Sequence, residues 1–306
     1  MLLNDAGRVS AGGRMQDPQV ATLTGMMEAV NAGDAKSYAL AYTEDAVIVI
    51  HGSAVLRGRD AIERYEVELL REFPGARLAF HSMWQAGPAA VVRYAVVGQG
   101  PGGRWMGHEG LLFYRFDASG LVQEEHRYLD SVTPMAQMGI LAAGPVRPLP
   151  TLRSEMKVYV AEDSAREREN AALVRASLAA LDARNEDGFL AGLDEGAVLD
   201  DLTQPAALVG RPNVRAWFET WAAAVPDARS EVTTLLCVGE FVLAECVVRG
   251  ALKGPLGRLA SSDRAFAVHR AVIFQIGRGA LTSISIFMNE KELAEAVGQW
   301  PGPQGK

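Results

Sequence analysis

The chain has 306 residues, 49% of them hydrophobic and 22% charged, with a net charge of −7. That is the balance of an ordinary globular protein, long enough for one large or two ordinary domains. The acidic balance, without a basic block, argues against a nucleic-acid backbone or an anionic membrane surface as partner. No apolar run approaches the ~20 residues of a bilayer-crossing helix, and the N-terminus lacks the apolar core of a signal peptide. A soluble, cytoplasmic protein is expected, with Cys237 and Cys246 reduced.

Residues 1–16 are Gly-rich and polar and are expected to form a loose arm. Asp17-Pro18 reads as an N-cap followed by a first-turn proline, and Val20, Leu23, Met27 and Val30 keep helical spacing. Asn31-Ala-Gly-Asp34 stops that helix, and a shorter one runs to about Tyr42. Ala46–His51 is a β-branched strand. After Gly58, Asp60 is expected to cap a helix ending at Pro74-Gly75. Four strands follow, at about 76–86, 89–98, 104–116 and 121–130. The last two are joined by Asp117-Ala-Ser-Gly120, a hairpin loop with Gly where φ is positive. Helices followed by a run of strands indicate an α+β fold, with helices on one face of a curved antiparallel sheet. A short helix at about 133–139 precedes Gly144-Pro-Val-Arg-Pro148-Leu-Pro150, which neither a helix nor a central strand tolerates. A charged stretch from Glu155 leads into a helix ending near Ala183.

The pattern then repeats. Gly210-Arg211 answers Gly58-Arg59, and Pro226-Asp-Ala-Arg229 answers Pro74-Gly-Ala-Arg77, both 152 residues on. Phe274-Gln-Ile276 answers Tyr114-Arg-Phe116, and Phe287-Met-Asn289 answers Tyr128-Leu-Asp130. A tandem duplication is expected: an arm at 1–16, a first domain at 17–142, a linker at 143–162, a second domain at 163–300 and a tail at 301–306.

Asn31-Ala-Gly-Asp34, Leu56-Arg-Gly-Arg-Asp60, the closing Gly120-Leu-Val…Tyr128-Leu-Asp130…Gln137-Met-Gly139, Val209-Gly-Arg-Pro212 and Phe287-Met-Asn289-Glu-Lys-Glu-Leu293 carry a resemblance. In their order, the sequence resembles the SnoaL-like polyketide cyclases of the nuclear-transport-factor-like superfamily, over nearly all of both halves. The resemblance implies two cone-shaped α+β barrels, each with a pocket at its open end. It implies cofactor-free acid–base chemistry on a hydrophobic, polyketide-like small molecule: cyclisation, isomerisation or epoxide opening. A non-catalytic binding or scaffold module is the alternative, since fold alone does not give function. Relatives pair through their sheets, so the two halves are expected to pair as an intramolecular pseudo-dimer, with higher oligomers left open.

His126, Tyr128 and Asp130 fall at period 2 on the closing strand and share a face. If that face lines the cone, the strand supplies a base or acid, a hydrogen-bond donor and a second carboxylate. The resemblance casts Asp130 as general base, while capping of the next helix is its structural alternative. On the neighbouring strand His108 shares parity with Leu112 and Tyr114. In the second half, Ser285, Phe287 and Asn289 replace the closing trio. Aligning Asp45 with Glu195 puts Asp200 opposite Ile50, a position that resembles the general base of ketosteroid-isomerase-like members. Glu231 and His269 complete that candidate site, and a carboxylate pair suits epoxide opening. Tyr114, Tyr128, Trp84, Trp217, Trp221 and Phe287 are candidate substrate contacts, with core packing the alternative for Tyr128 and the tryptophans. Scattered histidines give no metal-ligand spacing and no Gly-rich phosphate loop is present, so neither metal nor cofactor is expected.

Overall fold

The computed structural model describes residues 17–141 and 145–300; the arm, the tail and Gly144 of the Pro-rich stretch lie outside the described residues. The chain forms two compact units, Met1–Leu129 with Thr133–Glu162, and Asp130–Val132 with Asp163–Lys306.

In the first unit, α1 (Pro18–Ala32) and α2 (Ala35–Ala39) precede β1 (Tyr42–Ile50) and β2 (Ala54–Arg57). Helix α3 (Arg59–Glu72) follows, then β3 (Arg77–Ala86), β4 (Ala89–Gln99), β5 (Trp105–Phe116) and β6 (Val122–Leu129). After α4 (Val132–Gln137), β7 (Lys157–Val160) returns to the sheet. The strand order is β2-β1-β6-β5-β4-β3-β7. The sheet is mixed rather than antiparallel, because β1 runs parallel to β6 and β7 parallel to β3. Two expectations change. The charged stretch after Glu155 contributes the edge strand β7 before its helix. The residue preceding α3 is Gly58 at φ 80°, with no side-chain cap, so Asp60 sits inside the first turn.

Local chemistry fixes the other ends as expected. The Asp17 carboxylate accepts the Gln19 amide at 2.9 Å. Asp117 holds its hairpin by accepting the amides of Ser119 and Leu121, each at 2.9 Å, and Gly120 has φ 86°. Helix residues Val20, Leu23, Met26, Tyr38 and Ile62 pack on alternate strand residues, among them Ile48, Val92, Tyr94, Leu112 and Tyr114. These strand residues define the inner face of the sheet. Register breaks at Phe80/Ser82 and Arg115/Phe116 insert extra residues that bend the strands.

The second unit repeats this plan with α5 (Ala165–Asp182), α6 (Glu186–Ala191), β8 (Leu193–Asp201), β9 (Leu208–Val209) and α7 (Arg211–Ala224). Strands β10 (Arg229–Val238), β11 (Phe241–Ala251), β12 (Ala265–Gly277) and β13 (Ala280–Met288) precede α8 (Glu290–Ala296). Its sheet order is β10-β11-β12-β13-β8-β9, with β13 parallel to β8. Gly210, at φ 86°, repeats Gly58 before the long helix.

Candidate functional site

The closing hairpin decides which side chains enter the first cone. Tyr114 pairs with Glu125 and Arg115 with Glu124, but Phe116 pairs with Val122, so Gln123 is an extra residue. One extra residue reverses the facing of everything on one side of it. Val122 is inward, and so, beyond the bulge, are Glu125, Arg127 and Leu129. His126 and Tyr128 therefore stand on the opposite face, where the alternation alone had put them with Val122. There Tyr128 stacks on His51 with ring centres 4.4 Å apart, and His126 meets the same ring edge-on at 5.6 Å. Trp84 is on that outer face too, stacked on Tyr159 of β7. Asp130 lies just past β6, where its carboxylate accepts the amide of Val132, the first residue of α4, at 3.1 Å. This is the capping alternative of the sequence reading.

Inside the first cone, the bulge delivers a buried polar array that strict alternation hides. Arg127 donates to Glu125 at 2.6 Å through Nε, to Glu66 of α3 at 3.1 Å through Nη1, and to the Tyr38 hydroxyl at 2.7 Å through Nη2. The hydroxyls of Tyr38 and Tyr42 are 2.8 Å apart, and Tyr42 donates to the second oxygen of Glu125. Glu125 is fully buried, and Glu66 and Tyr38 nearly so. Burial raises the pKa of Glu66 and of both tyrosines. Two expected residues do face this interior. The Tyr114 hydroxyl is buried with no hydrogen-bond partner. His108 meets the Tyr94 ring edge-on, and its pKa is pushed down to about 4 by burial. The Glu-x-Arg spacing of Glu125 and Arg127 was visible in the sequence; the bulge that turns it inward was not.

In the second unit, Val198 and Leu199 pair with Ser283 and Ile284, Asp200 with Ser285, and Asp201 with Ile286. Leu199 belongs to the core, so Asp201 shares its face and Asp200 points the other way. The true correspondence with the first unit is one residue longer than the sequence alignment assumed, and Asp201 is the residue opposite Ile50. Its carboxylate accepts the Thr203 amide at 3.0 Å and the Thr203 hydroxyl at 2.7 Å, while burial raises its pKa. Glu231 is exposed on β10 and sits 3.7 Å from Arg249. His269 lies on the outer face of β12, 2.7 Å from Glu292 of α8. Phe287 is buried, but on the outer face of β13. The carboxylate pair expected for epoxide opening is thus not assembled from Asp200 and Glu231.

What the second cone contains is an apolar pocket. It is lined by Leu178, Leu181, Phe189, Leu199, Trp217, Val272, Phe274, Ile284 and Ile286, together with Ser177 and Arg270. The space between these side chains is about 320 Å³, part of it open to solvent. As a cavity it is small, about 20 Å³, room for one or two waters, so a larger ligand must part the side chains that line it. Trp217 lines the pocket. Trp221 stacks parallel to it, ring centres 6.4 Å apart, and carries the Arg270 guanidinium over its own ring at 5.8 Å.

The two interiors differ position by position. Registers and helix bounds match Tyr38 with Phe189, Tyr42 with Leu193, Glu66 with Phe218, Glu125 with Ile284 and Arg127 with Ile286. Every member of the polar array has an apolar counterpart. The same fold therefore holds a hydrogen-bonded network in one copy and a greasy pocket in the other.

A SnoaL-like domain model matches residues 23–125 and again 174–284. The chain belongs to the SnoaL-like domain family. Among solved structures, it is similar to TsrD of Streptomyces laurentii at 23% identity, over 45% of this chain and 100% of that one, with a TM-score of 0.40. A protein of Jannaschia sp. CCS1 described as a SnoaL-like polyketide cyclase is 17% identical, over 46% and 99%, with a TM-score of 0.43. A protein of Catenulispora acidiphila DSM 44928 with a ketosteroid-isomerase-like fold, solved with trimethylamine, is 21% identical, over 41% of this chain and 92% of that one, with a TM-score of 0.37. No curated protein matches the sequence. No helix among the described residues is long and apolar enough to cross a membrane.

Proposed function

We propose that this tandem SnoaL-like protein takes an apolar small molecule into the cone of its second unit and acts on it without a cofactor. The observation that carries this reading is the pocket between α5, α7, β12 and β13, whose lining is apolar except for Ser177 and Arg270. Sites for small molecules are typically concave and mostly apolar, with a few placed polar groups. The acid–base part of the reading rests on Asp201. It continues the inner face of β8 beyond Leu199 of the lining, and burial raises its pKa above that of an ordinary carboxyl, the direction that favours a proton-exchanging group. An enolisable ketone is the simplest substrate class for such a group, and isomerisation or aldol-type cyclisation the matching reaction. The first unit, with its interior occupied by the Arg127 array, serves as the structural partner in this reading.

Trp217 gives the test. Titrating the full chain with a bicyclic ketone such as 2-decalone should quench its fluorescence saturably. The lining substitution Ile284→Phe should weaken the effect. Quenching that never saturates, or that Ile284→Phe leaves unchanged, overturns the reading.

A further inference from the structure

Arg270 is the residue the apolar pocket does not explain. It is 4% exposed, yet among the described residues no carboxylate oxygen comes within 4.0 Å of its guanidinium. Its contacts are the Trp221 ring, and Ser230 Oγ at 3.5 Å from Nη2. Its Nε–H is buried with no acceptor. Ser177 lines the same pocket from α5, also 4% exposed, with its hydroxyl unpartnered. In a helix interior a serine hydroxyl usually bonds back to the preceding turn; this one does not.

The position is specific to the second unit. Arg270 faces Cys246 across β11 and β12, as Gly110 faces Tyr94 across β4 and β5. The left-handed residues after the two helices, Gly33 and Arg184, and the caps Asp34 and Asn185 match Ser177 with Met26 of α1, which is buried in the first core. The second copy thus places a cation and a hydroxyl where the first has a glycine and a methionine, and the neighbouring Tyr94 position shrinks to cysteine. A buried guanidinium is costly unless it is paired and hydrogen-bonded. Among the described residues Arg270 has no ion pair at contact distance, only the more distant charge of Asp201, whose pKa it lowers, and one long hydrogen bond to Ser230. An unmet N–H and an unmet hydroxyl on the wall of an open apolar pocket define where the compensation would sit.

Resting on the reading of the second cone as a ligand site, we propose that its ligand carries a carboxylate. One oxygen takes the Arg270 Nε–H and the Ser177 hydroxyl serves the same group, while the hydrocarbon part lies among Phe189, Trp217, Phe274 and Ile284. The substrate class is therefore a compact apolar carboxylic acid, such as a keto acid, rather than a neutral hydrocarbon or a phosphate ester. A flat monoanion matches the planar donor edge of a guanidinium.

The test compares cyclohexanecarboxylate with cyclohexanecarboxamide by titration calorimetry on the full chain. The acid should bind roughly tenfold to a hundredfold more tightly, the range of a charge-assisted hydrogen bond. Arg270→Met should erase that preference, bringing the acid's affinity down to that of the amide in the same variant. Equal affinities for acid and amide would overturn the carboxylate assignment but leave the apolar site standing. Failure of both to bind would overturn both. Stability gives an independent readout. With no ligand present, Arg270→Met should raise the urea midpoint of the second unit, because it removes a buried charge that has no ion pair at contact distance. A lowered midpoint would show that Arg270 serves the fold and would overturn the proposal.

Discussion

Tyr94 lies over Gly110 so closely that a Cβ on residue 110 would stand 2.4 Å from the ring. The glycine backbone is extended, so the requirement is for space and not for an unusual φ. In the second unit the bulk is exchanged: Cys246 is small and Arg270 is large. Gly110→Ala should therefore destabilise the first unit by about 1–3 kcal/mol, the usual range for overpacking a filled core. Adding Tyr94→Cys should recover part of that loss. Urea unfolding followed by the fluorescence of Trp84 would show it. An alanine tolerated without a shift in midpoint would mean that the ring moves freely.

The Arg127 array should respond in a non-additive way. Removing the guanidinium alone, in Arg127→Met, leaves the Glu66 and Glu125 carboxylates buried together. Breaking a buried ion pair on one side typically costs about 3–5 kcal/mol. Replacing the whole array by its second-unit counterparts, with Tyr38→Phe, Tyr42→Leu, Glu66→Phe, Glu125→Ile and Arg127→Ile, should cost less than the single change. The natural second interior shows that this fold accepts those side chains. If the five changes instead add up, the array is not acting as one unit.

Much of the fold was legible in the sequence because its signals are local. Asp17-Pro18, Asp117 to Gly120 and the repeated Gly-Arg before each long helix mark ends whose chemistry involves neighbouring residues. The face of each strand was not legible. A bulge at Gln123 depends on how β5 and β6 pair, and pairing is a long-range event; with it, Glu125 and Arg127 turn in while His126 and Tyr128 turn out. The same one-residue sensitivity replaced Asp200 by Asp201. His108 and Tyr114 were placed on the correct face because β5 runs without interruption up to them. Arg270 gave no local sign, since its surroundings on the pocket wall come from residues far apart in the chain.

His108 should make the first unit acid-sensitive. Burial depresses its folded pKa to about 4, against 6.5 for the ordinary side chain. Between those values the unfolded chain binds the proton and the folded one does not, so stability falls as pH drops from about 6.5 to about 4. Thermal unfolding across that range, compared between the parent and His108→Gln, should show a shallower slope for the variant. Identical slopes would mean that His108 is protonated inside the fold.

Asp201 carries the opposite sign. Burial raises its folded pKa above the ordinary 3.8, so in the window above that value the unfolded chain releases the proton first. Stability contributed by the neutral acid is complete below the ordinary value and is lost as pH rises through the raised one. Asp201→Asn keeps an oxygen that can accept from the Thr203 amide and hydroxyl but cannot ionise. The variant should therefore hold the turn while flattening the decline of second-unit stability with rising pH, followed through Trp217 and Trp221. Loss of the proton-transfer group should also lower turnover of an enolisable substrate by ~10²–10⁴. The two readouts separate the roles. A flattened pH profile with unchanged turnover would leave Asp201 a buried structural acid. A fall in turnover with binding intact would make it the group that moves the proton.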